Sequence, residues 1–306
     1  MKRIVHGNHP FTEGGVKDTP IKITHDMAAT FMYPETTLKT SNTNYTYLST
    51  DSLCVGYYEL CPGGRFDPPD YHPGDEIYYV LEGVLTMLNT EAGQVCVIKK
   101  GESLVMPRGS VHLGCNFTDK KTMVLAFIAP RLVVDQNFPT DKGGENRKLN
   151  QYKGKYNAEF KHVEAPEFGA KMPTVNDLGA WPVDGKTLRK EPGYFYHITE
   201  EKKLNVISGN YHMNLLKFFV SNDYLNVGEL VMTTGGIDPR MTEPDEHEGD
   251  CLLYCESGSV IVFFIDTLEM IKLNKTDAVF IPPHTKYQVA NYEAHMANVL
   301  FAVTKL

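Results

Sequence analysis

Residues 64–83 read GRFDPPDYHPGDEIYYVLEG, and residues 101–116 read GESLVMPRGSVHLGCN. Within the first stretch, EIYYVLEG is rich in β-branched and aromatic residues and is bounded by Gly and Pro, which reads as a strand. Side chains alternate between the faces of a strand, so Asp70, His72, Glu76 and Tyr78 share one face if the strand is regular there. In the second stretch His112, Gly114 and Asn116 share a face. A small barrel closed over both faces brings two imidazoles and one or two carboxylates together. His72, Glu76 and His112 then form a set of two His and one carboxylate, which suits Fe(II), Mn(II), Zn(II) or Ni(II) and leaves coordination sites open. Glu76 stands among apolar residues, where an unpaired charge is costly to bury, so a metal or cation partner is expected.

The same grammar recurs along the chain. CVGYYELCPGG, EIYYVLEGVLTML, QVCVIKKGESLVMPRGSVHLGCN and TMVLAFIAP are followed later by NVGELVMTTGG, CLLYCESGSVIVFF, EMIKLNKTDAVFIPPHTKYQVAN and ANVLFAV. Asp70 and Asp245, His72 and His247, His112 and Tyr287, and Asn116 and Asn291 are each 175 residues apart. Gly56 and Gly228, and Gly63 and Gly235, are 172 apart, the difference being a three-residue insertion in IDPRMTEPDEH relative to RFDPPDYH. A constant offset across several elements signals duplication, and many short strands broken by turn residues suggest an all-β sandwich or barrel.

The first repeat resembles the cupin superfamily, whose motifs are G-x5-H-x-H-x3/4-E-x6-G and G-x5-P-x-G-x2-H-x3-N. Here Gly64, Asp70, His72, Glu76 and Gly83 meet the first spacing, and Gly101, Pro107, Gly109, His112 and Asn116 the second. Asp70 stands where the family usually has its first His. The resemblance implies an all-β chain of two tandem cupin barrels (double-stranded β-helix, or jelly-roll). The expected parts are an N-terminal barrel with the metal site over 1–130, a connecting segment over 131–196 and a degenerate barrel over 197–306. The connection is rich in Lys, Glu, Gly and Pro, has no sustained alternation and is expected to hold one short helix packed over a barrel or a partner subunit.

One divalent ion (Fe, Mn, Zn or Ni) is expected on His72, Glu76 and His112. Asp70 has three readings: a fourth ligand, a general base beside the metal, or a turn residue after Pro68–Pro69. Two carboxylates with two imidazoles would cancel the charge of the ion and bind an anionic substrate less readily than a site of three His. Asp70 and Tyr78 are the candidate catalytic side chains. Tyr78, Met106 and the pair Tyr57–Tyr58 are read as pocket lining, with core packing as the alternative. In the second repeat Cys251 and Tyr287 replace the Glu and the second-motif His, so a scaffold barrel without metal is expected; His284 falls where the turn Gly belongs, on a loop.

A metal-dependent bicupin enzyme follows as the leading expectation. It would isomerise, dehydrate or decarboxylate a small oxygenated metabolite (a sugar, sugar acid or hydroxy acid) by Lewis-acid and acid–base chemistry. Two alternatives stand beside it: a non-haem Fe(II) dioxygenase built on His72, Glu76 and His112, and a non-catalytic small-molecule binding bicupin. Bulk properties agree with a small-molecule protein. The 306 residues suffice for two ordinary domains, and a net charge of −8 argues against general affinity for nucleic acid or anionic membrane. No stretch has the length of a membrane span, and the start MKRIVHGNHPFTEGG lacks the apolar core of a secretory signal. Six cysteines are too few for a disulfide framework, so a reducing cytoplasm is the expected compartment. The resemblance also implies a homodimer, with N-terminal pieces such as IKIT and FMY pairing between subunits.

Overall fold

A computed structural model describes residues 18–32, 43–50, 52–66, 69–130, 172–190, 193–209, 213–238 and 243–305. The first repeat and the segment before it form β1 (Ile21–Ile23), β2 (Ala29–Met32), β3 (Thr43–Ser49), β4 (Cys54–Leu60) and β5 (Asp75–Glu82). They continue through β6 (Val84–Asn89), β7 (Gln94–Lys99), β8 (Ser103–Met106), β9 (Leu113–Cys115) and β10 (Thr122–Ala129). The connection supplies a one-turn helix α1 (Gly185–Lys190) and β11 (Tyr196–Ile198); the expected short helix is there, and residues 131–171 lie outside the described residues. The second repeat forms β12 (Leu204–Ser208), β13 (Asn214–Ser221), β14 (Leu225–Met232), β15 (Ile237–Asp238) and β16 (Cys251–Ser257). It ends with β17 (Ser259–Phe264), β18 (Glu269–Asn274), β19 (Ala278–Ile281), β20 (Tyr287–Ala290) and β21 (Ala297–Thr304).

Each repeat folds into one large and one small antiparallel sheet. The large sheets run β11-β8-β5-β10-β4-β3-β2 and β1-β19-β16-β21-β14-β13-β12, seven strands each and equivalent strand for strand. Their small partners are β7-β6-β9 and β15-β20-β17-β18. Each large sheet borrows its first strand from ahead of the other repeat. β1 pairs with β19, Ile21 opposite Phe280, while β11 pairs with β8, Tyr196 opposite Val105. The strand pairing therefore crosses the expected bounds at 130 and 197: residues 21–23 complete the second barrel and 196–198 complete the first. An edge strand offers a row of unpaired backbone groups, and each barrel covers such an edge with a strand from the other side of the chain.

Why these strands are apolar on both faces follows from where they sit. In β10, Val124 and Ala126 face the interior of the first barrel, while Leu125, Phe127 and Ala129 enter a second core. That second core joins the two large sheets: Leu48, Tyr79 and Phe127 of the first repeat pack with Phe219, Leu252 and Tyr254 of the second. Tyr79 stacks on Phe219 with ring centroids 5.1 Å apart. Burying a side chain of this size contributes about 1.5–3 kcal/mol, so the barrels are fastened by their sheets as well as by the exchanged strands. Lys203 is buried at this junction, its ammonium 3.0 Å from Glu229 and 2.7 Å from Glu200. All six cysteines are unbridged. Among the described residues no helix is long and apolar enough to cross a membrane.

Candidate metal centre

Backbone pairing places the site residues before any side chain is considered. Asp70 and His112 form an isolated bridge: Asp70 N–H donates to the His112 carbonyl at 3.1 Å, and His112 N–H to that of Asp70 at 3.0 Å. Asp70 is thus held against the strand end that carries His112, which sets its carboxylate in the barrel; Pro68 of the expected turn lies outside the described residues. Gly109 N–H donates to the His72 carbonyl at 2.8 Å, and Arg108 N–H to Asp75 Oδ1 at 2.8 Å. The turn after β8 is thereby tied to the approach to β5. Glu76, on β5, sits opposite Met106 of β8.

The side chains converge. His112 Nε2 lies 3.0 Å from Asp70 Oδ1 and 3.0 Å from Glu76 Oε2. His72 Nε2 lies 3.4 Å from Glu76 Oε2 and 4.0 Å from Asp70 Oδ2, and the two imidazole centroids are 5.2 Å apart. One ligand atom each from Asp70, His72 and His112 falls within 4.8 Å of the others. The structure so brings all four expected residues together, Glu76 lying against both rings.

The electrostatics call for a cation. His112 Nδ1–H donates to the Ser110 carbonyl at 3.0 Å, which leaves Nε2 facing the carboxylates. A neutral imidazole would then aim a lone pair at two anions. His112 Nε2 and both oxygens of Glu76 are buried without a hydrogen-bond partner among the described residues, despite their proximity. Burial opposes the imidazolium, but Asp70 and Glu76 outweigh it and hold His112 well above its usual pKa. A proton satisfies this cluster in part. Two imidazole nitrogens and two carboxylates are also the donor set of a first-row divalent ion, so the residues fit the group.

Around the cluster, Tyr78 is edge-on to His112 with centroids 6.4 Å apart, and Tyr58 stands against Tyr78 and Phe66. Burial, followed by the nearby Glu76 charge, raises the Tyr58 phenol well above its usual pKa. Met106 belongs to the same interior. Tyr57 does not: strand alternation turns it to the opposite face, beside Tyr45 and His25, so the expected Tyr57–Tyr58 lining is half correct. Asn116 is a strand-end clamp, its amide donating to the carbonyls of Leu60, Cys61 and Lys120, and Asn291 does the same for Met232, Thr233 and His295. Sequence reasoning missed Asp75 and Ser110 as supports; a carboxylate beside a motif Glu was the available signal for the first.

The second barrel repeats the frame with different chemistry. Asp245 and Tyr287 form the equivalent bridge, and His284 N–H donates to the His247 carbonyl at 2.8 Å, as Gly109 does to His72. His284 adopts φ 59°, the left-handed conformation that Gly109 takes at 74°. Tyr287 fills the place of the imidazole: its hydroxyl is 2.7 Å from His247 Nε2 and 3.7 Å from Cys251 Sγ. Burial lowers the His247 pKa, raises the phenol well above its usual value and pushes the Cys251 thiol up to about 12.

Residues 56–128, the heart of the first barrel, match the cupin domain family. No curated protein sequence matches the chain. Among solved structures it is similar to a putative glyoxylate induced protein from Pseudomonas aeruginosa, at 14% identity and a TM-score of 0.61, covering 99% of this chain and 95% of that one. It is also similar to protein Ylba from E. coli, at 13% identity and a TM-score of 0.57, covering 94% and 91%. A third, oxalate decarboxylase from Lactobacillus farciminis, is 16% identical with a TM-score of 0.57, covering 96% and 87%. At such identities the likeness speaks to the fold. With both motifs in place, residues 56–128 are a cupin domain, and the chain as a whole has the two-barrel, bicupin fold.

Proposed function

We propose that the first barrel is a metal-dependent active site for a small oxygenated metabolite such as a sugar, sugar acid or hydroxy acid, working by Lewis-acid and acid–base chemistry. The observation that carries this reading is the convergence of Glu76 Oε2 and Asp70 Oδ1 on His112 Nε2 at 3.0 Å each, with His72 beside them, in a buried cluster where His112 Nε2 and both Glu76 oxygens have no hydrogen-bond partner among the described residues. His72, Glu76, His112 and Asp70 are the residues that would hold the ion. A divalent ion bound there would polarise a carbonyl or hydroxyl oxygen of the substrate.

The protein's own groups do the rest. Asp70 has the most open side chain of the four, 13% exposed against 6% for His72, 3% for His112 and 2% for Glu76, so it is the carboxylate that meets an entering molecule. It accepts or returns a proton there. Glu76 orients both imidazoles, and the Tyr58–Phe66–Tyr78 wall keeps water out. Two carboxylates offset a doubly charged ion, which favours neutral or singly charged substrates over dianions. The oxalate decarboxylase neighbours support decarboxylation as one form of this chemistry, beside isomerisation and dehydration.

Elemental analysis of untagged protein, with turnover of a sugar and hydroxy-acid panel and an oxygen electrode, tests the reading. Wild type is expected to hold one equivalent of Mn, Zn, Ni or Fe in this barrel and His112→Ala to lose it, without oxygen consumption. Wild-type metal content in folded His112→Ala would overturn the site. Iron with substrate-dependent oxygen uptake would replace the chemistry by that of a dioxygenase, which the His72, Glu76 and His112 set also suits.

A further inference from the structure

The second barrel holds an open-mouthed cavity of about 220 Å³. Since a space of about 10–15 Å³ on this measure admits a water molecule, there is room for an organic ligand of several heavy atoms. Its polar groups are mostly acceptors. Asp245 and Asp238 both line it, and so does Asn226, whose Oδ1 is buried without a hydrogen-bond partner among the described residues. Ser208 donates its hydroxyl to Asp238, so that proton is already committed. The phenol of Tyr287 is likewise occupied with His247. Burial, with the Asp238 charge second, raises Asp245 to about 6, the mark of two carboxylates sharing a poorly solvated space. No Lys or Arg lines the cavity among the described residues. The remaining wall is apolar, with Phe218 and Phe301 packed edge to face at 5.5 Å.

We propose that this cavity is a second binding site, separate from the metal centre, that takes a small organic ammonium ion with a short apolar body. An ammonium group supplies only donors and a positive charge, which is what two carboxylates lack. The aromatic pair adds a face on which a cation or its alkyl chain rests. An anionic ligand meets two like charges here, and an alcohol leaves the carboxylates uncompensated. The proposal is independent of the reading of the first barrel, because it involves none of Asp70, His72, Glu76 or His112.

Calorimetric titration of the full chain with n-butylammonium chloride, with sodium butyrate and 1-butanol as charge controls, tests it. One butylammonium is expected to bind per chain, the two controls not measurably. Asp245→Asn and Asp238→Asn should each weaken binding by about tenfold or more, since each removes a charge-assisted hydrogen bond. Thermal melts establish that each variant is folded, and one folded variant suffices. First-barrel metal content should stay at the wild-type level in both, and His112→Ala should bind butylammonium as wild type does. Equal binding of butyrate or butanol, no saturable butylammonium binding up to about 10 mM, wild-type affinity in a folded Asp variant, or loss of binding in folded His112→Ala would each overturn the proposal.

Discussion

Replacing Glu76 by Gln is the perturbation that separates a metal cage from a structural ion cluster, because the two predict opposite signs in the metal-free protein. Glu76 is 1% exposed, and neither of its oxygens has a hydrogen-bond partner among the described residues. In the absence of metal, the raised imidazolium of His112 faces the carboxyl groups of both Asp70 and Glu76 at 3.0 Å, two acids against that one cation. An uncompensated buried ion costs several kcal/mol. Glu76→Gln keeps the shape and removes one of the acids, leaving Asp70 and His112 as a balanced pair. The metal-free variant should therefore be at least as stable as wild type, by about 1 kcal/mol or more. With metal the order reverses. At free metal 100-fold above its Kd, binding stabilises wild type by about 2.7 kcal/mol, a rise of about 5 °C in Tm for a chain of this size. The variant loses a ligand and should gain little. Differential scanning calorimetry in chelator and in excess metal should show the two melting curves crossing over. A variant that melts below wild type in chelator, yet gains the full metal shift, would refute the reasoning.

Asp70→Asn distinguishes ligand from proton carrier: retained metal with turnover lower by about a hundred- to ten-thousand-fold marks a base, whereas weakened metal binding that Asp70→His restores marks a ligand; metal affinity and turnover are read together. Lys203→Met strands Glu229 at the barrel junction and should cost about 3–5 kcal/mol in denaturant unfolding, most of it recovered when Glu229→Gln is added. Asp245 gives a pH dependence. Its pKa is raised on folding from 3.8 to about 6, so its stabilising share is complete below pH about 4 and is lost as pH rises to about 6, then stays flat. Asp245→Asn should erase that fall and stabilise the protein at pH 8 by up to about 3 kcal/mol; equal pH slopes for variant and wild type would contradict the assignment.

Much of the candidate metal centre was legible in the residues alone. Period-two alternation sets Glu76 and Tyr78 on one face, and the motif spacing puts His72 and His112 where two strands meet, so local rules suffice for these. The constant offset of 175 residues likewise carried the frame of the first barrel onto the second, down to the left-handed turn shared by Gly109 and His284. Other features needed the closed structure. Asp70 joins the cluster because its backbone bridges His112, a pairing between residues 42 apart that no local pattern encodes. Tyr57 and Tyr58 look equivalent in sequence, and only the presence of a second packed sheet makes both faces buried and their neighbours different. The exchanged strands β1 and β11 are three residues long, too short for a periodic signal, and their partners are chosen by which sheet edge lies open nearby. The cavity of the second barrel depends on how Leu216, Phe218, Leu230 and Phe301 fall short of filling it, a sum over side chains from several strands that only tertiary packing performs.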